Sequence, residues 1–191
     1  MDKRTKVFLV LFLFFLSIYA AIAYYATTSR PNEPFIGFGI YSRDYSGQTT
    51  LSGYTGPGST VNINQTYHWT FNITNEMGTT QLVQVITRLG NNQTIGPNAT
   101  SPAFLQVFAN ASIFVPNKSS TLQNFDWNVT KLVSSSGLDY ITVEINGQTT
   151  SSTFDTPGRP FRFYFELWTF NVSTASFQYY TWLQIGFNVN N

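Results

Sequence analysis

The chain has no cysteine and a single histidine, His68, and only 10% of its 191 residues are charged, against about 25% in ordinary soluble domains. The missing cysteine removes disulfides, thiol nucleophiles, zinc ribbons and iron–sulfur clusters together. It leaves His68 and scattered carboxylates as the only side chains able to ligate a metal. With 10 basic and 9 acidic residues, no basic surplus is present to neutralise phosphates, which excludes a nucleic-acid partner. No GxSxG, HExxH or phosphate-binding loop occurs. Gly53 to Gly58 (GYTGPG) precedes strand-like sequence rather than a helix and reads as a turn. His68 lies beside Thr70 and Asn72 on a polar strand face, where a solvated histidine is expected rather than a catalytic base. Asp126, Asp139, Asp155 and Glu166 are too dispersed for a calcium-loop motif. The sequence therefore predicts a non-enzyme with no catalytic residue, metal or cofactor.

What is present is uncharged polarity and aromatic bulk. The chain holds 17 Asn, 25 Thr and 17 Ser, and aromatics reach 17%, ample material for a packed core. Residues 1–6 form a basic N-terminal region, with Lys3, Arg4 and Lys6 ahead of a 20-residue uncharged run from Val7 to Ala26. At 1.5 Å per residue a helix over 7–26 is about 30 Å long, the thickness of a bilayer's hydrocarbon core. The charge bias places the N-terminus in the cytoplasm and the C-terminal part outside the cell membrane. The rival reading is a signal peptide cleaved after Ala21-Ile22-Ala23; both readings export the remainder. Residues 27–34 (TTSRPNEP) read as a stiff linker, and 35–191 as one extracytoplasmic domain.

From Phe35 onward, period-2 alternation recurs without helical periodicity. The expected strands are Phe35 to Ser42, Ser59 to Asn64, Tyr67 to Asn75, Thr80 to Leu89, Ala111 to Val115, Thr121 to Thr130, Leu138 to Asn146 and Gln148 to Asp155, followed by a C-terminal hairpin turning at Asn171 to Ser176. In that hairpin, Phe165 opposite Leu183 also pairs Phe163 with Ile185 and Phe161 with Phe187. The pattern predicts an all-β fold, an antiparallel immunoglobulin-like β-sandwich preceded by one N-terminal transmembrane helix.

Eight Asn-X-Ser/Thr sequons occur, at Asn64, Asn72, Asn92, Asn98, Asn110, Asn117, Asn128 and Asn171, roughly twice what the composition gives by chance. Strand parity turns Asn64, Asn72 and Asn128 away from the apolar face, and Asn92, Asn98, Asn117 and Asn171 fall in turn-like sequence, as N-linked glycans require. The second candidate feature is aromatic. Tyr164, Trp168 and Phe170 occupy the face of the hairpin opposite the phenylalanines, with Trp168 expected across from Tyr180 and Glu166 across from Trp182. Tyr164, Trp168, Tyr180 and Trp182 thus form a possible interaction surface for a protein or a sugar, unless a loop covers it.

The stretches TGPGSTVNINQTYHWTFNITNEMGTTQLVQVITRLGNN, FVPNKSSTLQNFDWNV and FRFYFELWTFNVSTASFQYYTWLQIGFNVN resemble the extracytoplasmic domain of an archaeal membrane-protein family known as domain of unknown function 1616. Members of that family usually carry several membrane helices, and this chain has one apolar run. The resemblance implies an archaeal envelope setting and no activity or catalytic residue. The combined expectation is a single-pass surface glycoprotein bound to membrane lipid through 7–26 and to a protein partner in the envelope, such as an S-layer or a membrane complex. A pilin- or archaellin-like filament subunit and a carbohydrate-binding module are the alternatives.

Overall fold

The computed structural model describes residues 2–27, 33–43, 49–50, 59–155 and 159–190. Gly53 to Gly58 and residues 28–32 of the linker lie outside them. The chain divides into two units, Met1–Glu33 and Pro34–Asn191.

The first unit is one helix, α1 (Lys3–Thr27), as a run of Leu, Phe and Ala without Gly or Pro favours. The Ser17 hydroxyl inside the run donates to the Phe14 carbonyl at 2.7 Å, which satisfies it without leaving the helix. Among the described residues no helix is long and apolar enough to cross a membrane.

The second unit comprises β1 (Ile36–Arg43), β2 (Thr49–Thr50), β3 (Ser59–Asn62), β4 (Tyr67–Asn75), β5 (Gln81–Asn91), β6 (Val107–Val115), β7 (Ser119–Ser135), β8 (Leu138–Ile145), β9 (Gln148–Asp155), β10 (Phe161–Asn171) and β11 (Ser176–Asn190). They form two sheets, β2-β1-β4-β7-β8-β9 and β3-β11-β10-β5-β6. Every pairing is antiparallel except β3 with β11, which is parallel, a departure from the fully antiparallel expectation. After β3 the chain changes sheet: Ile63 bridges Val129 in parallel, and the Asn64 N–H donates to the Val129 carbonyl at 2.8 Å. Asn64 makes that step with φ 62°, a conformation asparagine tolerates better than most residues.

The core is an aromatic layer between the sheets. Trp69, Phe71, Phe125 and Trp127 from the first sheet meet Phe161, Phe163, Phe165 and Phe187 from the second, all buried. Ring centroids lie 4.9 Å apart for Trp127 and Phe163 and 5.1 Å for Phe71 and Phe165, both edge to face, the arrangement that ring quadrupoles favour. The hairpin register matches its expectation, with Phe161 opposite Phe187, Phe163 opposite Ile185 and Phe165 opposite Leu183.

Three strands run beyond their expected ends. β5 continues to Asn91, β6 begins at Val107 rather than Ala111, and β7 continues past Thr130 to Ser135. The β7 extension is closed by Ser136-Gly137 with φ of 53° and 80°, and Asn146-Gly147 closes the next hairpin with 49° and 81°. Two successive positive φ values match the right-handed twist of the flanking strands.

Candidate functional site

On β10 the residues Phe161, Phe163, Phe165 and Leu167 face the core, so Tyr164 and Glu166 face outward. Both are nonetheless buried, because the connection between β5 and β6, residues 92–106, folds back over that face of the second sheet. Glycine permits its close approach. A Cβ on Gly96 would lie 2.7 Å from the Tyr164 ring and one on Gly90 2.9 Å from it.

Glu166 is the centre of this cover, with 0% of its surface exposed. Its Oε2 accepts from Arg88 Nε at 3.1 Å and Trp168 Nε1 at 3.2 Å, and its Oε1 accepts from the Ala103 N–H at 2.6 Å. Arg88 also donates to the Leu105 carbonyl. Farther along, the Tyr179 hydroxyl donates to the Asn98 carbonyl at 2.8 Å. Burial first, and then the nearby Glu166 charge, push the Tyr179 phenol up to about 12. A carboxylate with three donors, one of them a guanidinium, holds the strap in place.

The proposed aromatic surface needs correction at two of its four positions. Tyr164 is 3% exposed and lies beneath the strap, out of reach of a partner. Glu166 does pair with Trp182, but the register shifts between Leu167 and Trp168, so Trp168 faces Tyr179 rather than Tyr180. Their rings meet edge to face at 5.6 Å. The shift leaves Tyr180 as the extra residue, and its hydroxyl accepts the Ile36 N–H at 3.1 Å. Trp168 and Trp182 remain half-buried on the outer face. The apolar residues most open to a partner there were not singled out in the sequence: Ile95 is 87% and Phe104 95% exposed, both on the strap. The only sequence signal for them is two large apolar residues in a connection otherwise rich in Gly, Pro, Asn and Thr.

The remaining titratable groups are dispersed. His68 Nδ1 lies 2.9 Å from Asp126 Oδ1, its cross-strand neighbour. Asp139, also buried, accepts from Arg159 Nε at 2.8 Å and Nη2 at 2.9 Å and from the Ser134 hydroxyl at 2.5 Å. The Arg159 hydrogen bonds hold the Asp139 carboxyl below its ordinary range, against the opposing effect of burial. Asp126, Asp139 and Glu166 thus have separate partners. Among the described residues no group of three or more His, Asp or Glu could hold a metal ion.

None of the eight sequon asparagines is buried. Asn64, Asn92, Asn98 and Asn110 are exposed, and Asn72, Asn117, Asn128 and Asn171 are half-buried. Their amides differ in what they already bind. Asn92 Nδ2 donates to the Arg159 carbonyl at 2.9 Å and its Oδ1 accepts from Arg162 at 2.8 Å, and Asn171 Nδ2 donates to Gln178 at 3.2 Å. Asn98 uses its Oδ1 instead, accepting from the Thr100 and Ser101 N–H groups at 2.9 and 3.0 Å.

No protein-family model matches the chain, and no curated protein matches it. Solved structures with some similarity include the CARDB domain of the PF1109 protein from Pyrococcus furiosus in complex with di-metal ions, 12% identical, with 65% of this chain and 89% of that one covered and a TM-score of 0.32. Others are an alkylpurine DNA glycosylase, AlkC, from Pseudomonas fluorescens bound to DNA containing an abasic site analog, at 13% identity, 51% and 27% coverage and a TM-score of 0.29, and a β-glucosidase from Listeria innocua in complex with isofagomine, at 10%, 64% and 16%, and 0.29.

Proposed function

We propose that the protein is a non-enzymatic, single-pass cell-surface glycoprotein. Its uncharged run from Val7 to Ala26 is the anchor, and its immunoglobulin-like sandwich is an envelope interaction module outside the membrane. The observation that carries this reading is the position of the sequons: eight asparagines, all clear of the core, in a domain with few charges to keep it soluble. The anchor rests on the sequence, since the run is 20 residues long, follows three basic residues and continues without interruption inside one helix. The archaeal envelope setting belongs to the same proposal. The protein partner is expected on the outer face of the second sheet, where Trp168 and Trp182 lie near the strap with its exposed Phe104.

Protease treatment of intact cells tests the topology. The account predicts that the domain is digested without lysis, that a membrane-bound N-terminal fragment survives, and that the mature chain begins at Met1. A start near Val7 would favour the filament reading and one near Tyr24 a secreted protein, and a domain protected until lysis would contradict export altogether.

A further inference from the structure

The outer face of the first sheet carries a hollow of about 350 Å³ across β7, β8 and β9, within the size range of ligand pockets, about 300–1,000 Å³. Two cross-strand rows line it: Val133, Tyr140 and Thr153, and beside them Lys131, Thr142 and Ser151. Strict alternation from Phe125, Trp127 and Val129 would turn Lys131 and Val133 into the core. A bulge prevents this. The pairing passes from Val129 opposite Val143 to Lys131 opposite Thr142, so Thr130 is the extra residue and Leu132 takes the inward place. Thr130 is also the hydroxyl residue of the sequon Asn128-Val129-Thr130, and its Oγ1 donates to the Thr142 carbonyl at 3.4 Å.

Asn128 stands one outward row beyond the Lys131 and Thr142 row that lines the hollow. It shares the outer face of β7, opposite Glu144, the next outward residue after Thr142 on β8. It is half-buried, and its Oδ1, like those of Asn72 and Asn117, is closed off by protein without a hydrogen-bond partner. At about 3.3 Å per residue, some 13 Å separate the Glu144 row from the Tyr140 row, a span that a short oligosaccharide covers.

We propose that this hollow is the seat of the chain's own N-linked glycan at Asn128, an inference that rests on the exported-glycoprotein reading above. The Tyr140 ring supplies the flat apolar surface on which the C–H face of a sugar packs. The Thr142 and Ser151 hydroxyls, 2.9 Å apart, and Thr153 supply partners for its hydroxyl groups. The bulge turns Lys131 and Val133 outward and so opens the surface that the glycan covers.

The test uses the full chain expressed in its native host, with Asn128→Gln and Thr130→Ala as two independent ways to delete the sequon. Each variant is expected to lose the mass of one glycan. Hydroxyl-radical oxidation of Tyr140 is expected to rise several-fold in both variants, while oxidation of Phe114, exposed on the other sheet, stays unchanged. Tyr140→Ala should leave Asn128 glycosylated. The inference is overturned if Asn128 is bare while other sequons are occupied, or if Asn128 is occupied and Tyr140 oxidises equally with and without its glycan. A native chain with no glycan at any sequon would overturn the glycoprotein reading together with this one.

Discussion

Asp139 illustrates how this domain treats charge. It is fully buried on β8, where Arg159 and Ser134 satisfy it, and Arg159 holds its carboxyl below the ordinary carboxylate range. A carboxylate whose folded-state pKa is depressed stabilises the fold above its unfolded value, near 3.9, and that contribution is lost as pH falls through the folded value. Asp139→Asn should therefore lower stability by about 1 kcal/mol at neutral pH, a modest figure because Arg159 is partly solvated. The gap between wild type and variant should close below about pH 4. Urea denaturation at pH 7 and pH 3 checks this, and an equal gap at both values would refute it. Residue environments of this kind were only partly legible in the sequence. The outward orientation of Asn72 and Asn128 followed from alternation alone, whereas the burial of Tyr164 and Glu166 depends on the strap, whose path no periodic pattern records.

At the scale of elements, the strands were legible where one face is apolar. β4, β8 and β10 show this, and the β10–β11 register followed because a slip of one residue would turn Phe161, Phe163 and Phe165 to solvent. The bulges were not legible, since inserting one residue leaves no mark in composition. They account for the misplaced Tyr180 and for the unforeseen continuation of β7. The turn closing that continuation is a second case. Ser136-Gly137 has the same pair of positive φ values as Asn146-Gly147, but serine at the first position is a weaker signal than asparagine. Ser136→Asn is accordingly expected to stabilise the domain by about 0.5 kcal/mol. Gly137→Ala is expected to destabilise it by about 1 kcal/mol, from backbone strain at positive φ. A Cβ on Gly137 would meet nothing within 4 Å, so strain alone is at issue. Thermal unfolding of the two variants decides the sign of each, and a neutral Gly137→Ala would show that the turn is not held in this conformation.

The whole molecule joins an aromatic core to a surface of low charge. The ring layer built from Trp69, Trp127, Phe163 and Phe165 needs an exterior that resists association, and from Thr27 onward the chain has only 7 basic and 8 acidic residues to supply it. Glycans on the outward asparagines provide that exterior in the proposed account, and the strap and the hollow beside Asn128 are features that composition alone could not reveal. The most direct test is the intact mass of the protein purified from its native membranes. The account predicts a distribution of species heavier than the 21.6 kDa chain, which collapses toward that mass when the glycans are removed chemically. A single species at the bare polypeptide mass would contradict it.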